Sequence, residues 1–209
     1  TGSFCNGRGA LHLRCRKMNL FYLPEAHAGK IMTLPEEESG HMIRVLRMKA
    51  GDPIHLTDGQ GMFYAGIIAD AHPKKCAVSI SLALPDPGKR NFRLSIAIAP
   101  TKNIDRFEWF LEKVTEIGCD RIIPLICRHS ERKTLNPERL QRVILAALKQ
   151  CLKSQLPELS EPVSFEQFLA AQAAGSGAVK LIGHIPELSA DEFPPKNPTG
   201  NSIGSYYRA

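Results

Sequence analysis

The sequence lacks a long apolar run and the common signatures of nucleotide-binding and hydrolytic enzymes. No stretch of its 209 residues approaches the roughly 18 consecutive apolar residues of a membrane span, so we expect no association with a membrane. The motifs G-x-G-x-x-G, P-loop, G-x-S-x-G and H-E-x-x-H are also missing. Their absence disfavours a metabolic enzyme that uses a nucleotide cofactor.

The cysteines do not suggest a metal site or a disulfide framework. The six cysteines include no C-x-x-C pair and no spacing typical of zinc ligands. Cys119, Cys127 and Cys151 lie inside apolar patterns, where cysteine usually behaves as a small buried side chain. Because reduced thiols are typical of the cytosol, we expect a cytoplasmic protein without a metal ion.

Composition indicates an ordinary globular protein with a basic balance. The chain is 43% hydrophobic and 23% charged, and its length suits one or two domains. The net charge of +6 favours polyanionic partners such as nucleic acid. Four of the cations lie in the N-terminal stretch: Arg8, Arg14, Arg16 and Lys17. This stretch, residues 1–17, lacks the apolar core of a secretory signal, and we expect a non-native or disordered extension before a natural start at Met18.

Residues 18–84 have the pattern of a small β-rich module. Short alternating runs predict strands around Phe21–Leu23, Ile54–Leu56, Met62–Ala69 and Val78–Leu82, with one brief helical stretch between the first two. We expect these strands to form a compact barrel or curled sheet. Residues 85–91 contain two prolines and a glycine, and we expect a linker there.

Residues 92–184 alternate between strand and helix patterns. Leu94–Ala99, Ile122–Ile126 and Ala178–Ile182 are apolar runs typical of strands covered on both faces. Apolar residues at helical spacing predict a helix that stops at Gly118, another capped by Asn136 and a third capped by Ser164. Right-handed βαβ units would build these elements into a parallel sheet. Residues 185–209 are proline-rich, and we expect an irregular tail.

One basic cluster lies in the β-rich half. The run H-M-I-R-V-L-R places His41, Arg44 and Arg47 at near-helical spacing, where guanidinium groups can grip phosphates. A solvated basic helix face would show the same pattern. The spacing therefore leaves both interpretations open.

Further candidates lie in the α/β half. Arg128, Ser130 and Arg132 follow a predicted strand, and α/β proteins place their sites at the carboxyl ends of strands. Gln150 and Lys153 close the next helix, and we expect both sets to form one basic groove at one end of the sheet. Ordinary charged loops and cations near a helix C-terminus are the alternative.

The order of motifs resembles one family, the 16S ribosomal RNA uridine N3-methyltransferases. The match runs from about Met18 to Gly183 and starts with H-x-x-R-V-L-R, G-D and D-G-x-G. It continues with T-K at Thr101 and Lys102, E-K-V-T-E-I-G, I-I-P, R-H-S-E-R and Q-C-L-K-S-Q-L-P. Several motifs in fixed order over most of the chain make this resemblance specific.

The resemblance implies a PUA-like RNA-binding barrel at 18–84 and a partial SPOUT methyltransferase domain at 92–184, an α/β fold with a trefoil knot. It also implies a homodimer that uses S-adenosylmethionine to methylate uridine N3 of 16S rRNA in the small ribosomal subunit. By this likeness the cleft candidates for catalysis are Lys102, Arg128 and Gln150. The implied RNA-binding residues are His41, Arg44, Arg47, Lys102, Lys113, Arg128, Ser130, Arg132 and Lys153.

The sequence departs from the family after Gly183. The glycine-rich G-P-E-G-G loop and the L-R-x-E-T-A loop, which form the knot and wrap the cofactor, are missing. We therefore expect an incomplete cofactor pocket without the knot segment, and a chain that is weak or inactive in isolation. The alternative is a non-catalytic RNA-binding protein with a degenerate SPOUT domain.

Overall fold

A computed structural model describes residues 19–88, 90–173 and 179–183. The described residues up to 170 belong to one compact unit, and the described residues from 171 onwards belong to a second. Both sheets lie in the first unit. Within the described ranges, no helix is long and apolar enough to cross a membrane. The predicted extension at 1–17 and the predicted tail at 185–209 lie outside the described residues.

A mixed five-stranded sheet occupies the N-terminal half. Its strands, in spatial order, are β1 (Leu20–Tyr22), β3 (Pro53–Thr57), β4 (Met62–Asp70), β5 (Ala77–Pro85) and β2 (Ile31–Thr33). β1 runs parallel to β3, and the other neighbours are antiparallel. A short helix α1 (Glu36–Gly40) continues directly into a π-helical turn at His41–Val45. This arrangement confirms the predicted curled sheet.

The core of this sheet follows from the alternation in its strands. Ile54 and Leu56 on β3 and Val78 and Ile80 on β5 point to one face and are at most 1% exposed. The ladder between β4 and β5 shifts register beside Gly66, where a Cβ atom would overlap the carbonyl of Ser79. Only glycine allows the two strands to approach so closely there.

A parallel sheet forms the second half of the compact unit. β7 (Arg121–Ile126) lies at its centre, with β6 (Ser95–Ile98) on one side. On the other side it pairs successively with β8 (Glu158–Leu159) and β9 (Val163–Ser164). The connections contain α2 (Ile104–Ile117) and α3 (Pro137–Gln150), and α4 (Phe165–Ala173) follows β9. The predicted parallel α/β architecture is confirmed.

The helices begin and end where the sequence predicts. The side chain of Asn136 accepts a hydrogen bond from the backbone N–H of Arg139, with Pro137 at the first helical position of α3. Ser164 caps α4 in the same way by accepting from the N–H of Gln167. Gly118 ends α2 in the left-handed conformation, with φ of 86°.

The predicted strand at Ala178–Ile182 is wrong over its described part. Residues 179–183 form no regular secondary structure, and Val179, Leu181 and Ile182 are between 81% and 89% exposed. A strand needs pairing partners for its backbone N–H and C=O groups, and an apolar strand needs a sheet face to bury its side chains. β8 and β9 form the pairing beside β7 instead.

Candidate functional site

His41, Arg44 and Arg47 lie on an exposed basic turn that follows α1. The fully buried side chain of Met42 anchors this turn, and the N–H of Leu46 donates to the carbonyl of His41 at 3.0 Å. Arg47 has φ of 55°, in the left-handed region, which reverses the chain after the helix. Within the described residues neither arginine forms an ion pair. Both guanidinium groups therefore remain free to bind anions, and an RNA-binding role stays a prediction.

A second group of predicted residues meets at the carboxyl edge of the parallel sheet, the edge where β6 and β7 end. The Nζ atom of Lys102 lies 2.8 Å from Oε2 of Glu131. The guanidinium of Arg132 donates from Nη2 to the carbonyl of Lys102 at 2.9 Å. Ser130 closes the loop after β7, because its Oγ accepts from the N–H of Cys127 at 2.9 Å.

Arg128 lies in the same loop and is exposed. Among the described residues it has no ion-pair partner. The structure thus brings Lys102, Arg128, Ser130 and Arg132 together at the edge where α/β proteins place their sites. Their individual roles stay predictions.

The expected single groove is wrong, because Gln150 and Lys153 lie at the opposite edge of the sheet. α2 and α3 run side by side with their N-termini together, since Nε of Arg139 lies 2.5 Å from Oε1 of Glu108. At the other end, Lys153 lies next to Gly118. A helix of 14 residues spans about 21 Å, which separates the two groups. Helices in βαβ units return antiparallel to the strands, so the C-terminus of a helix lies away from the carboxyl edge.

Lys113 also lies away from the carboxyl-edge group, on the exposed face of α2. Its ammonium bonds both carboxylate oxygens of Glu116, at 2.7 and 2.9 Å. This hydrogen bond raises the pKa of Lys113. The pair has the (i, i+3) spacing of ordinary helix-surface ion pairs, and an RNA-binding role of Lys113 stays a prediction.

Two motifs that carry the family resemblance contact each other where the two sheets join. The N–H of Gly61, in the D-G-x-G turn, donates to the carbonyl of Ser154 at 3.0 Å. The N–H of Leu156 donates to the carbonyl of Gly59 at 2.8 Å. Ser154 is fully buried, and its hydroxyl donates to Oδ2 of Asp86 at 2.5 Å. Sequence reasoning did not identify this junction.

Asp58 organises the turn from within. Its Oδ1 accepts from the backbone N–H groups of Gln60 and Met62, and its Oδ2 accepts from the hydroxyl of Tyr64 at 3.2 Å. Burial, and then the nearby carboxylate of Asp58, raise the pKa of Tyr64. Tyr64 therefore remains a protonated donor at neutral pH, which keeps the turn fixed.

A buried ion pair forms a second link between the halves. Glu38 on α1 is 5% exposed, and its Oε1 lies 2.6 Å from Nζ of Lys149 on α3. Oε2 of the same carboxylate is buried and has no hydrogen-bond partner among the described residues. Because α1 leads directly into the basic turn, this pair connects that turn to α3.

Two concave regions lie near these groups. A junction cleft of about 500 Å³ is lined by residues from the linker, the end of α2 and the segment after α3. An apolar groove of about 300 Å³ lies between the start of α3 and the loop from β8 to β9. The cleft contains arginine and lysine side chains, whereas the groove contains none.

Comparison with protein families identifies both halves. The model of a family described as RNA methyltransferase domain matches residues 88–200, which is more than half of the chain. The chain belongs to this RNA methyltransferase family. The model of a second family, described as RNA methyltransferase PUA domain, matches residues 34–81, within the five-stranded sheet and α1.

Three relatives of this chain carry one and the same name. This chain is 30% identical over 172 residues to Ribosomal RNA small subunit methyltransferase E of Synechocystis sp., covering 78% of this chain and 53% of the relative. The chain spans 53% to 63% of the length of the curated relatives it matches.

Solved structures show the same fold. A probable rRNA-methyltransferase from Porphyromonas gingivalis superposes with a TM-score of 0.67 and is 40% identical, covering 73% of this chain and 63% of that one. A methyltransferase from Legionella pneumophila, in complex with the bound cofactor SAM, superposes with a TM-score of 0.72 and is 27% identical. That alignment covers 88% of this chain and 77% of the Legionella chain.

Proposed function

We propose that this protein is a cytoplasmic, S-adenosylmethionine-dependent methyltransferase that acts as a homodimer on uridine N3 of 16S rRNA in the small ribosomal subunit. The observation that carries the proposal is the group of donors at the carboxyl edge, in a chain of the RNA methyltransferase family. Residues 18–84 would hold the RNA through His41, Arg44 and Arg47. Residues 92–184 would supply the chemistry.

The carboxyl-edge donors suit this chemistry. Uridine N3 carries a proton that must be lost before the nitrogen can accept a methyl group, and the resulting negative charge spreads onto the two ring carbonyl oxygens. Fixed cationic donors stabilise such a charge as it develops. Arg128 has no competing ion pair among the described residues, and Lys102 and Arg132 lie beside it. Together they could bind the carbonyls of a uridine turned towards this edge.

The described residues do not by themselves fit the whole cofactor. The apolar groove has about 300 Å³, at the lower limit of small-molecule sites. Its lining includes Glu138 and Glu161 and no cation, so it has no charge partner for the carboxylate of S-adenosylmethionine. We therefore derive no step through the cofactor, and the proposed roles of these residues concern the RNA alone.

Methyl transfer to 16S rRNA in small subunits tests the proposal. N3 methylation blocks the Watson–Crick edge, so reverse transcriptase should stop at the modified uridine. The Arg128→Gln variant should lose about 100-fold in rate if Arg128 stabilises the developing charge. The control is Arg142→Gln, an equal loss of charge on the exposed surface of α3, and it should retain the wild-type rate.

Calorimetric titration with S-adenosylmethionine separates the two candidate functions. Micromolar binding together with methyl transfer supports the enzyme. RNA binding without any cofactor binding would favour the non-catalytic RNA-binding protein, for which the incomplete fit of the apolar groove is the supporting observation.

A further inference from the structure

The junction cleft combines an exposed aromatic ring with unpaired cations. Phe92 is 58% exposed, and Ile117 beside it is 61% exposed. Arg93, Lys153 and the amide side chain of Gln155 line the same cleft. This combination of ring, cations and amide differs from the apolar groove, whose lining has no cation and no aromatic side chain.

The carboxylates of the cleft are already satisfied. Asp86 accepts from the hydroxyl of Ser154 and from the N–H of Gly88 at 2.7 Å. Asp120 accepts from the N–H of Leu94 at 2.7 Å and pairs with the guanidinium of Arg90 at 3.2 Å. Asp120 is thus paired with Arg90, whereas Asp86 is held by neutral donors and keeps its negative charge.

The remaining cations have no carboxylate partner in the part of the chain that the structure describes. Among the described residues Arg93 and Lys153 form no ion pair, so the cleft contains two unpaired cations and, with Asp86 included, keeps an excess of positive charge. Arg90 is different, because Asp120 and the carbonyl of Gly118 hold it in place. From there its guanidinium covers one side of Phe92, 4.8 Å from the ring centroid. The arginine orients the ring while most of the side chain stays exposed.

We propose that the junction cleft binds single-stranded RNA, with one unstacked base on Phe92 and the neighbouring phosphates at Arg93 and Lys153. Stacking on an aromatic ring beside free cations is how proteins hold single strands without reading their sequence. A duplex keeps its bases stacked internally and could use only the cations. The inference rests on the proposed function, and it adds an RNA contact at the edge of the sheet opposite the proposed reaction.

Fluorescence anisotropy with the full chain tests the cleft. The probes are a labelled 16-nucleotide oligouridine and a labelled RNA hairpin of equal length. Phe92→Ala should weaken oligouridine binding about 5- to 150-fold and leave hairpin binding nearly unchanged. Arg93→Gln and Lys153→Gln should each reduce the slope of log K against log salt by about 0.7. Arg142→Gln serves as the charge-matched control and should change neither quantity.

Three results would overturn the proposal in different ways. In the first, the wild-type chain binds oligouridine, and all three cleft variants keep its affinity and salt slope. This result would reject the cleft as an RNA-binding site but would not contradict the proposed function. Weaker binding in Arg93→Gln and Lys153→Gln but not in Phe92→Ala would reject base stacking, because the cleft would then bind phosphate alone. Failure of the wild-type chain to bind either RNA would contradict the proposed function as well. Unchanged thermal melting of each variant establishes that it is folded.

Discussion

Replacing Lys149 by methionine would remove the charge that compensates Glu38 but keep most of the aliphatic stem. The wild-type ammonium lies 2.6 Å from Oε1 of Glu38, and Oε2 has no other partner among the described residues. The variant therefore leaves a buried carboxylate without a hydrogen-bond partner or a counter-charge. Breaking a buried pair in this way costs about 3 to 5 kcal/mol.

The lower end of that range applies, because the Lys149 side chain is 24% exposed and water screens part of the interaction. We expect Lys149→Met to lower the free energy of unfolding by about 3 kcal/mol. For a chain of this size that loss corresponds to a fall in Tm of roughly 6 to 12 °C. Urea titration followed by circular dichroism measures the first quantity, and a thermal scan measures the second.

The double variant Glu38→Met with Lys149→Met gives the decisive comparison. It removes both charges, so the desolvation cost of the carboxylate disappears with its partner, and stability should return to within about 1 kcal/mol of wild type or exceed it. Lys113→Met is the control, because its ion pair with Glu116 is solvent-exposed and its loss should leave the urea midpoint nearly unchanged. The single variant Glu38→Met completes the comparison. If the loss of stability in the double variant equals the sum of the losses in the two single variants, Glu38 and Lys149 are not energetically coupled.

Two further predictions concern the five-stranded sheet. Gly66→Ala should lower the free energy of unfolding by about 1 to 3 kcal/mol, because the new methyl group overlaps the backbone at Ser79, and an unchanged urea midpoint would contradict this. Burial lowers the pKa of His55, so the folded chain takes up its proton at lower pH than the unfolded chain does. Its contribution to stability is complete above a pH of about 6.5 and falls as the pH drops towards the folded pKa. His55→Gln should therefore flatten the pH dependence of stability between pH 7.5 and 5. An unchanged pH dependence would show that His55 is not its source.

Local signals predicted the helices well. Caps such as Asn136 and Ser164 and the left-handed Gly118 act within a few residues, so the sequence is sufficient to locate them. The strands β2, β8 and β9 contain only two or three residues each, too few for a hydrophobic period to be recognised. These strands are defined by pairing with a neighbouring strand, which depends on the tertiary structure and cannot be recognised in the local sequence.

The candidate site shows the same difference between local and tertiary information. The family resemblance implied that Lys102 and Arg132 lie in one cleft, and the two residues do meet, because both follow strands that end at one edge. The predicted groove with Gln150 and Lys153 is wrong, because a helix that returns antiparallel to the strands ends at the opposite edge of the sheet. The contact between Glu38 and Lys149 joins residues 111 positions apart, and no local pattern marks such a pair.

The junction gives the family motifs a physical meaning that their chemistry alone does not suggest. The D-G-x-G turn and the segment around Ser154 hydrogen-bond to each other across 97 positions of sequence. Together with the Glu38–Lys149 pair they fix the orientation of the five-stranded sheet against α3. Two separate links thus hold the basic turn in place relative to α3. Lys149→Met breaks one link and leaves the Ser154 contacts intact, so an effect on RNA binding in that variant would measure how much the orientation depends on the ion pair alone.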